Sequence, residues 1–245
     1  MKRNRKIALC LLLALAGATS LRLLPASAQD IGAKLSAARM GEIEPGRYQA
    51  GDRVDFFLEP VGDRFLLKFA DSAEIFLLTS ERTSLGGRLL RYDTGTTAIQ
   101  VSGLGSLTLY PEGTPNGLPA VLTGEAPKFL PETISLTQLQ NAAQDVGHRL
   151  NIVVAADWAV FAVDPGGRTF GFEALENFAA GAERTIKQRG HFVPGVDTVQ
   201  LQLGIGPTLL LGGKRLMLGF RPDQGFAGRM SSRAVTQTLN GMLGK

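Results

Sequence analysis

Between Val54 and Tyr110 the chain repeats one small theme, a β-prone run followed by a turn. The runs are Val54–Glu59, Arg64–Phe69, Glu74–Thr79, Arg88–Tyr92, Ala98–Ser102 and Ser106–Tyr110. Gly62-Asp63, Asp71-Ser72, Gly86-Gly87, Thr94-Gly95 and Gly103-Leu104-Gly105 separate them. Turns about 8 to 12 residues apart are the rhythm of an antiparallel meander, a sandwich or a small barrel. Residues 47–123 therefore read as one β-rich module. Pro111, Pro115, Pro119, Pro127 and Pro131 mark an irregular stretch, and residues 124–134 read as a Pro-bearing connection.

Beyond it the periodicity changes. Ser135 followed by Gln138 is a capping-box pattern, in which each side chain satisfies the other's free backbone amide, and Leu136, Leu139, Ala143, Val146 and Leu150 continue at helical spacing. Ile152 to Val163 is almost wholly apolar and ends at Asp164-Pro165-Gly166-Gly167, which predicts a buried strand or strand pair closed by a turn. A second amphipathic helix is expected from about Phe172 to Arg189, stopped by Gly190. Val199, Leu201, Leu203 and Ile205 alternate with Gln200, Gln202 and Gly204, the pattern of a strand with one wet face. Leu209–Leu211 and Leu216–Phe220 flank a Gly-Gly-Lys-Arg hairpin, and Ser231 or Ser232 caps a last helix. The fold class is thus α+β, an antiparallel β-rich N-terminal module followed by a mixed helix and strand region over 135–245.

The first 28 residues belong to neither region. Lys2, Arg3, Arg5 and Lys6 precede an apolar run from Ile7 to Ala18, and Ala26-Ser27-Ala28 follows Pro25. This is the build of a secretory leader, with cleavage expected before Gln29 at the small residues Ala26 and Ala28. Ala16-Gly17-Ala18 is a weaker cleavage pattern, and Arg22 leaves the apolar run too short for an uncleaved anchor. Residues 29–46 then read as a short helix, Asp30 to Met40, and a linker.

Cleavage reverses the charge. The full chain has 26 Lys and Arg against 22 Asp and Glu, but the leader takes five basic residues (Lys2, Arg3, Arg5, Lys6, Arg22), leaving 21 against 22 and a net −1. The electrostatic case for a nucleic-acid partner fails with that change of sign. Charge stays uneven along the chain: residues 29–127 hold 9 basic and 13 acidic groups, whereas residues 184–245 hold 9 and 2. Lys214, Arg215, Arg221, Arg229 and Arg233 could make a patch for an anionic envelope component such as lipid headgroups, lipopolysaccharide or cell-wall polymer. Alternatively, the acidic half docks against the basic half. The sole cysteine, Cys10, lies in the leader, so disulfides and thiol chemistry are excluded from the processed chain.

Catalytic signatures are thin. His148 and His191 stand near the ends of the two predicted helices and belong to no ligand set, so no metal or cofactor is expected. No Gly-x-Ser-x-Gly elbow is present, and the Gly-x-Gly fragments at Gly103 and Gly204 lack the rest of a phosphate loop. Asp157 interrupts the apolar run next to Trp158. Buried there it could act as a general acid or base, and otherwise it marks a bend between two short strands. Glu173 and Glu176 are expected on the solvated side of their helix.

Arg64 to Ala120 carries Phe65-Leu66-Leu67-Lys68-Phe69, Leu85-Gly86-Gly87-Arg88, Arg91-Tyr92-Asp93-Thr94-Gly95, Gly105-Ser106-Leu107-Thr108-Leu109-Tyr110 and Gly117-Leu118-Pro119-Ala120. With these motifs the chain resembles an uncharacterised family of secreted alphaproteobacterial proteins, defined only as a domain of unknown function. The resemblance implies export and lends no activity. The expectation is an exported, soluble, non-enzymatic envelope protein, periplasmic or secreted, that binds a ligand or another envelope protein. The alternative is a metal-independent hydrolase of envelope polymers.

Overall fold

The computed structural model describes residues 43–244 except Arg53. The leader, with Ala26, Ala28 and Gln29, and the expected helix Asp30–Met40 lie outside these residues.

The β-rich module is a closed barrel of eight strands in sequential order. They are β1 (Gly46–Ala50), β2 (Val54–Val61), β3 (Arg64–Phe69), β4 (Ile75–Arg82), β5 (Arg88–Arg91), β6 (Thr97–Val101), β7 (Leu107–Leu109) and β8 (Leu118–Gly124). Six correspond to the repeated runs, whereas β1 and β8 were not anticipated and are the pair that closes the ring. β8 was hidden by Pro119, which has no N–H to give a ladder. It still serves the closure, because its carbonyl accepts from the Gly51 N–H at 3.1 Å. Closure leaves no unpaired strand edge.

Alternation sends Phe56, Leu58, Phe65, Leu67, Phe76, Leu78, Leu90, Ile99 and Leu109 inward, where they fill the barrel. Tyr48, Phe56, Phe69, Phe76 and Tyr92 contact one another ring to ring, with successive centroids 5.3 to 6.5 Å apart. An eight-stranded barrel is just wide enough for such packing. Burial pushes the Tyr48 hydroxyl up to about 12, with Glu44 adding to the shift, and that hydroxyl donates to the Glu44 carbonyl at 2.6 Å.

The second lobe contains α1 (Leu136–Leu150), β9 (Val153–Ala156), α2 (Trp158–Val163), α3 (Pro165–Arg189), β10 (Thr198–Leu203), β11 (Thr208–Gly212), β12 (Arg215–Phe220) and α4 (Ser232–Leu243). Its sheet has the order β11-β12-β10-β9, with β9, β10 and β12 parallel and β11 an antiparallel edge. Val199, Leu201, Leu216 and Leu218 pack under α1 and α3 in a core separate from that of the barrel. The chain is therefore α+β. Among the described residues, no helix is long and apolar enough to cross a membrane.

Two local expectations are corrected. Ile152–Val163 is not a strand pair, since only Val153–Ala156 is extended and Trp158–Val163 is a helical turn and a half. Asp164-Pro165-Gly166-Gly167 is the start of α3, not a turn: the Asp164 carboxylate accepts from the Gly167 N–H at 2.8 Å and Pro165 occupies the first turn. The helix consequently begins seven residues before Phe172 and runs for 25 residues.

Candidate functional site

The Ser135 capping box forms as the sequence requires, and at the other end Asn151 closes α1 in the left-handed region at φ 53°. A second serine cap does more. Ser231 accepts from the Ala234 N–H at 3.1 Å, opening α4, while its own hydroxyl and N–H donate to the Asp93 carboxylate at 2.6 and 2.8 Å. Beside it the Ser232 hydroxyl and N–H donate to the Glu74 carboxylate at 2.6 and 2.8 Å. Asp93 follows β5 and Glu74 precedes β4, so two turns at one end of the barrel each present a carboxylate to the N-terminus of α4. Helix termini favour anions there because the free N–H groups point outward.

Arginines complete the junction. Arg229, only 5% exposed, pairs with Glu173 of α3 and donates to the Ile75 carbonyl at 2.9 Å, joining α3 to β4. Arg233 lays its guanidinium 4.3 Å from the Tyr92 ring centroid and 5.9 Å from that of Phe76, where it covers the end of the aromatic row. Burial raises the Glu74 carboxyl above its ordinary range, and the Ser232 hydrogen bonds, Arg229 and Arg184 offset that only in part.

The five basic residues of the expected patch are thus not one surface. Arg229 and Arg233 are used inside the junction. Arg221 forms a local bidentate pair with Asp223 at 2.6 and 3.1 Å, and only Lys214 and Arg215, in the hairpin, are exposed without such a pairing among the described residues. Among the described residues, the acidic and basic segments share one loose ion pair, Arg184 with Glu112 at 3.8 Å, while Asp93 and Glu74 are met by Ser231 and Ser232. Glu173 is likewise turned toward the barrel, not toward solvent. Glu176 is half-exposed beside Arg149, and partial burial still raises its carboxyl. Asp157 is exposed and caps α2 by accepting from the Ala159 N–H at 3.2 Å, so the burial on which its acid-base role depended is absent. His148 lies in the last turn of α1, and His191 follows α3 with Nδ1 at 2.9 Å from the Phe192 carbonyl oxygen. Among the described residues, no three metal-ligating side chains cluster.

Above the junction the outer barrel wall, residues 127–134 and α3 enclose a cleft of about 780 Å³. Phe129 anchors the connecting segment: it is buried, its ring meets Phe57 edge-on at 6.3 Å, and its N–H donates to Glu59 at 2.7 Å. Farther along, Thr169 donates to the Glu132 carbonyl at 2.9 Å and Arg168 to the Ile134 carbonyl at 3.0 Å. Between these anchors Leu130 stands 75% exposed at the cleft. Phe57, Phe129 and Phe172 give the cleft an apolar wall, and among the described residues four cations, Lys68, Lys128, Arg184 and Arg229, and four carboxylates, Glu74, Glu132, Glu173 and Glu176, line it. Lys68 makes no ion pair among the described residues, while Arg184 is held loosely by Glu112 at 3.8 Å. Sequence reasoning missed these residues. The available signal was alternation in β2: with Phe56 and Leu58 inward, Phe57 must point outward, and an outward phenylalanine needs a cover.

No curated protein and no solved structure matches the chain. A family model does match, over residues 27–239, and the chain belongs to that family, the domain of unknown function DUF4908.

Proposed function

We propose that the protein is an exported, non-enzymatic binding protein of the cell envelope whose cleft holds an anionic amphipathic molecule. The observation that carries this is the cleft's composition: about 780 Å³ with an aromatic wall and a Lys68 that makes no ion pair among the described residues. Volumes of several hundred Å³, mostly apolar with a few placed polar groups, are what small-molecule sites offer. The apolar part of the ligand lies against Phe57, Phe129, Phe172 and Leu130, and its head meets Lys68 and Arg184. A charge in such a setting gains from a cation that has no competing partner. Of the carboxylates lining the cleft, Glu74 is engaged by Ser232, Glu173 by Arg229 and Glu176 by Arg149, which suits holding the structure together and not acting on a substrate.

The leader supplies the export half of the reading, and the family match beginning at residue 27, two positions before the expected new N-terminus, supports it. Native mass spectrometry of the protein isolated gently from the envelope tests both halves. The expected result is a polypeptide starting at Gln29 with a co-purifying lipid-like species, and loss of that species in Ala180→Trp, which fills the exposed side of the cleft. Bare protein in both forms would overturn the binding reading, and an unprocessed N-terminus would overturn export.

A further inference from the structure

A second concavity lies wholly within the second lobe and shares no lining residue with the cleft. Along α1, Gln140, Asn141, Gln144 and Asn151 lie at spacings that share one side of the helix, and they line a groove of about 810 Å³ that reaches Asp197 and Trp158. Ala143, Ile152 and Val154 are among its few apolar lining residues. Among the described residues, no lysine or arginine borders the groove, Asp197 is the one acidic residue along it, and His148 also lines it.

We infer that this groove is a binding site for a neutral oligosaccharide. Each side-chain amide presents a donor and an acceptor at once, as does each sugar hydroxyl, so four amides along one wall match a row of hydroxyls without selecting for charge. None of the four spends its side chain on another protein group among the described residues. The Asp197 carboxylate already accepts from the Thr198 hydroxyl on Oδ1 at 2.8 Å, and its other oxygen can accept from a sugar hydroxyl. Trp158 supplies the other requirement of a pyranose, a flat apolar surface for its C–H face. The indole is held in place: it is partly buried and leans on the buried Phe161 ring at 6.2 Å. Anions are disfavoured because, among the described residues, the groove offers no lysine or arginine, carries the Asp197 carboxylate, and lies at the carbonyl end of α1. The amphipathic ligand of the cleft is thus the wrong chemistry here, and the two sites stand or fall separately.

Trp158 is the only tryptophan in the chain, so its emission reports on this groove alone. The purified protein at pH 8 is titrated with the N-acetylglucosamine tetramer and, separately, with a glucose tetramer. A saturable change with at least one tetramer is expected, and Asn141→Ala or Gln144→Ala, both at exposed positions, should weaken it about tenfold, the worth of one good hydrogen bond. No saturable change from either tetramer, with the far-ultraviolet circular dichroism intact, would overturn the inference. So would an equal response to inorganic phosphate, or a sugar response that both alanine variants leave untouched.

Discussion

Arg229 shows how much of this molecule hangs on single charged side chains. It is a nearly buried cation that closes a pair with Glu173 and satisfies the Ile75 carbonyl. Removing one partner of such a pair strands the other, and the cost is set by the stranded charge, not by the net worth of the pair. Arg229→Ala should lower the unfolding free energy by about 3–5 kcal/mol in urea titrations. A loss under about 1 kcal/mol, the scale of surface pairs, would mean that Glu173 reaches water instead. Glu74 makes a prediction of opposite kind. Burial, the largest influence on it, raises its carboxyl above the ordinary 4.5, so the folded chain holds that proton more tightly than the unfolded one. Stability from this group is present at low pH and is lost as pH rises through 4.5 toward the raised folded value. Glu74→Gln has nothing to titrate. The stability of the wild type relative to this variant should therefore be greatest in acid and should fall as pH rises toward neutrality, and a difference constant with pH would refute the assignment.

Helices α3 and α4 show why an element cannot be judged by its own propensities. Gly181 sits inside α3, where alanine would ordinarily stabilise by about 1 kcal/mol. Here an added Cβ would stand 2.6 Å from the Val235 Cγ1 and 2.7 Å from the Ser232 carbonyl, because α4 crosses at that point. Gly181→Ala is expected to destabilise by about 1–3 kcal/mol, the usual cost of overpacking, and any gain in melting temperature would show that the helices slide apart freely. The serine caps allow a matched comparison. Ser135→Ala removes one cap and should cost about 1 kcal/mol. Ser231→Ala removes a cap and also a hydroxyl bonded to Asp93, and should cost about 2–4 kcal/mol. Equal losses in parallel denaturant melts would deny Ser231 its second role. Legibility follows the same line. Ser135 and Gln138 announce their helix because the cap closes within four residues, whereas Asp164-Pro165-Gly166-Gly167 suits a turn as well as a helix start, and only the continuation on the sheet makes it the latter.

At the scale of the whole molecule, two cores are joined through charged and polar groups. All three tyrosines, Tyr48, Tyr92 and Tyr110, belong to the barrel region, and the single tryptophan belongs to the second lobe, so each lobe has its own intrinsic probe. Tyrosine near-ultraviolet circular dichroism and Trp158 fluorescence should trace one coincident unfolding curve in the wild type. In the double variant Arg229→Ala, Ser231→Ala the curves should separate, and continued coincidence would place the coupling elsewhere. By itself the sequence determined the α+β class, the β rhythm of the first half, the capping box and the excess of base over acid near the C-terminus, because each is a matter of neighbours along the chain. The tertiary structure alone decided that β1 and β8 close a barrel, that Asp157 is an exposed cap, and that Arg229 and Arg233 leave the expected patch for the junction. Those outcomes depend on contacts between residues such as Arg229 and Ile75, or Ser232 and Glu74, more than 150 positions apart. Local patterns tell which residues are charged or apolar, but the partner that buries or neutralises each one is chosen only when the distant strands and helices meet.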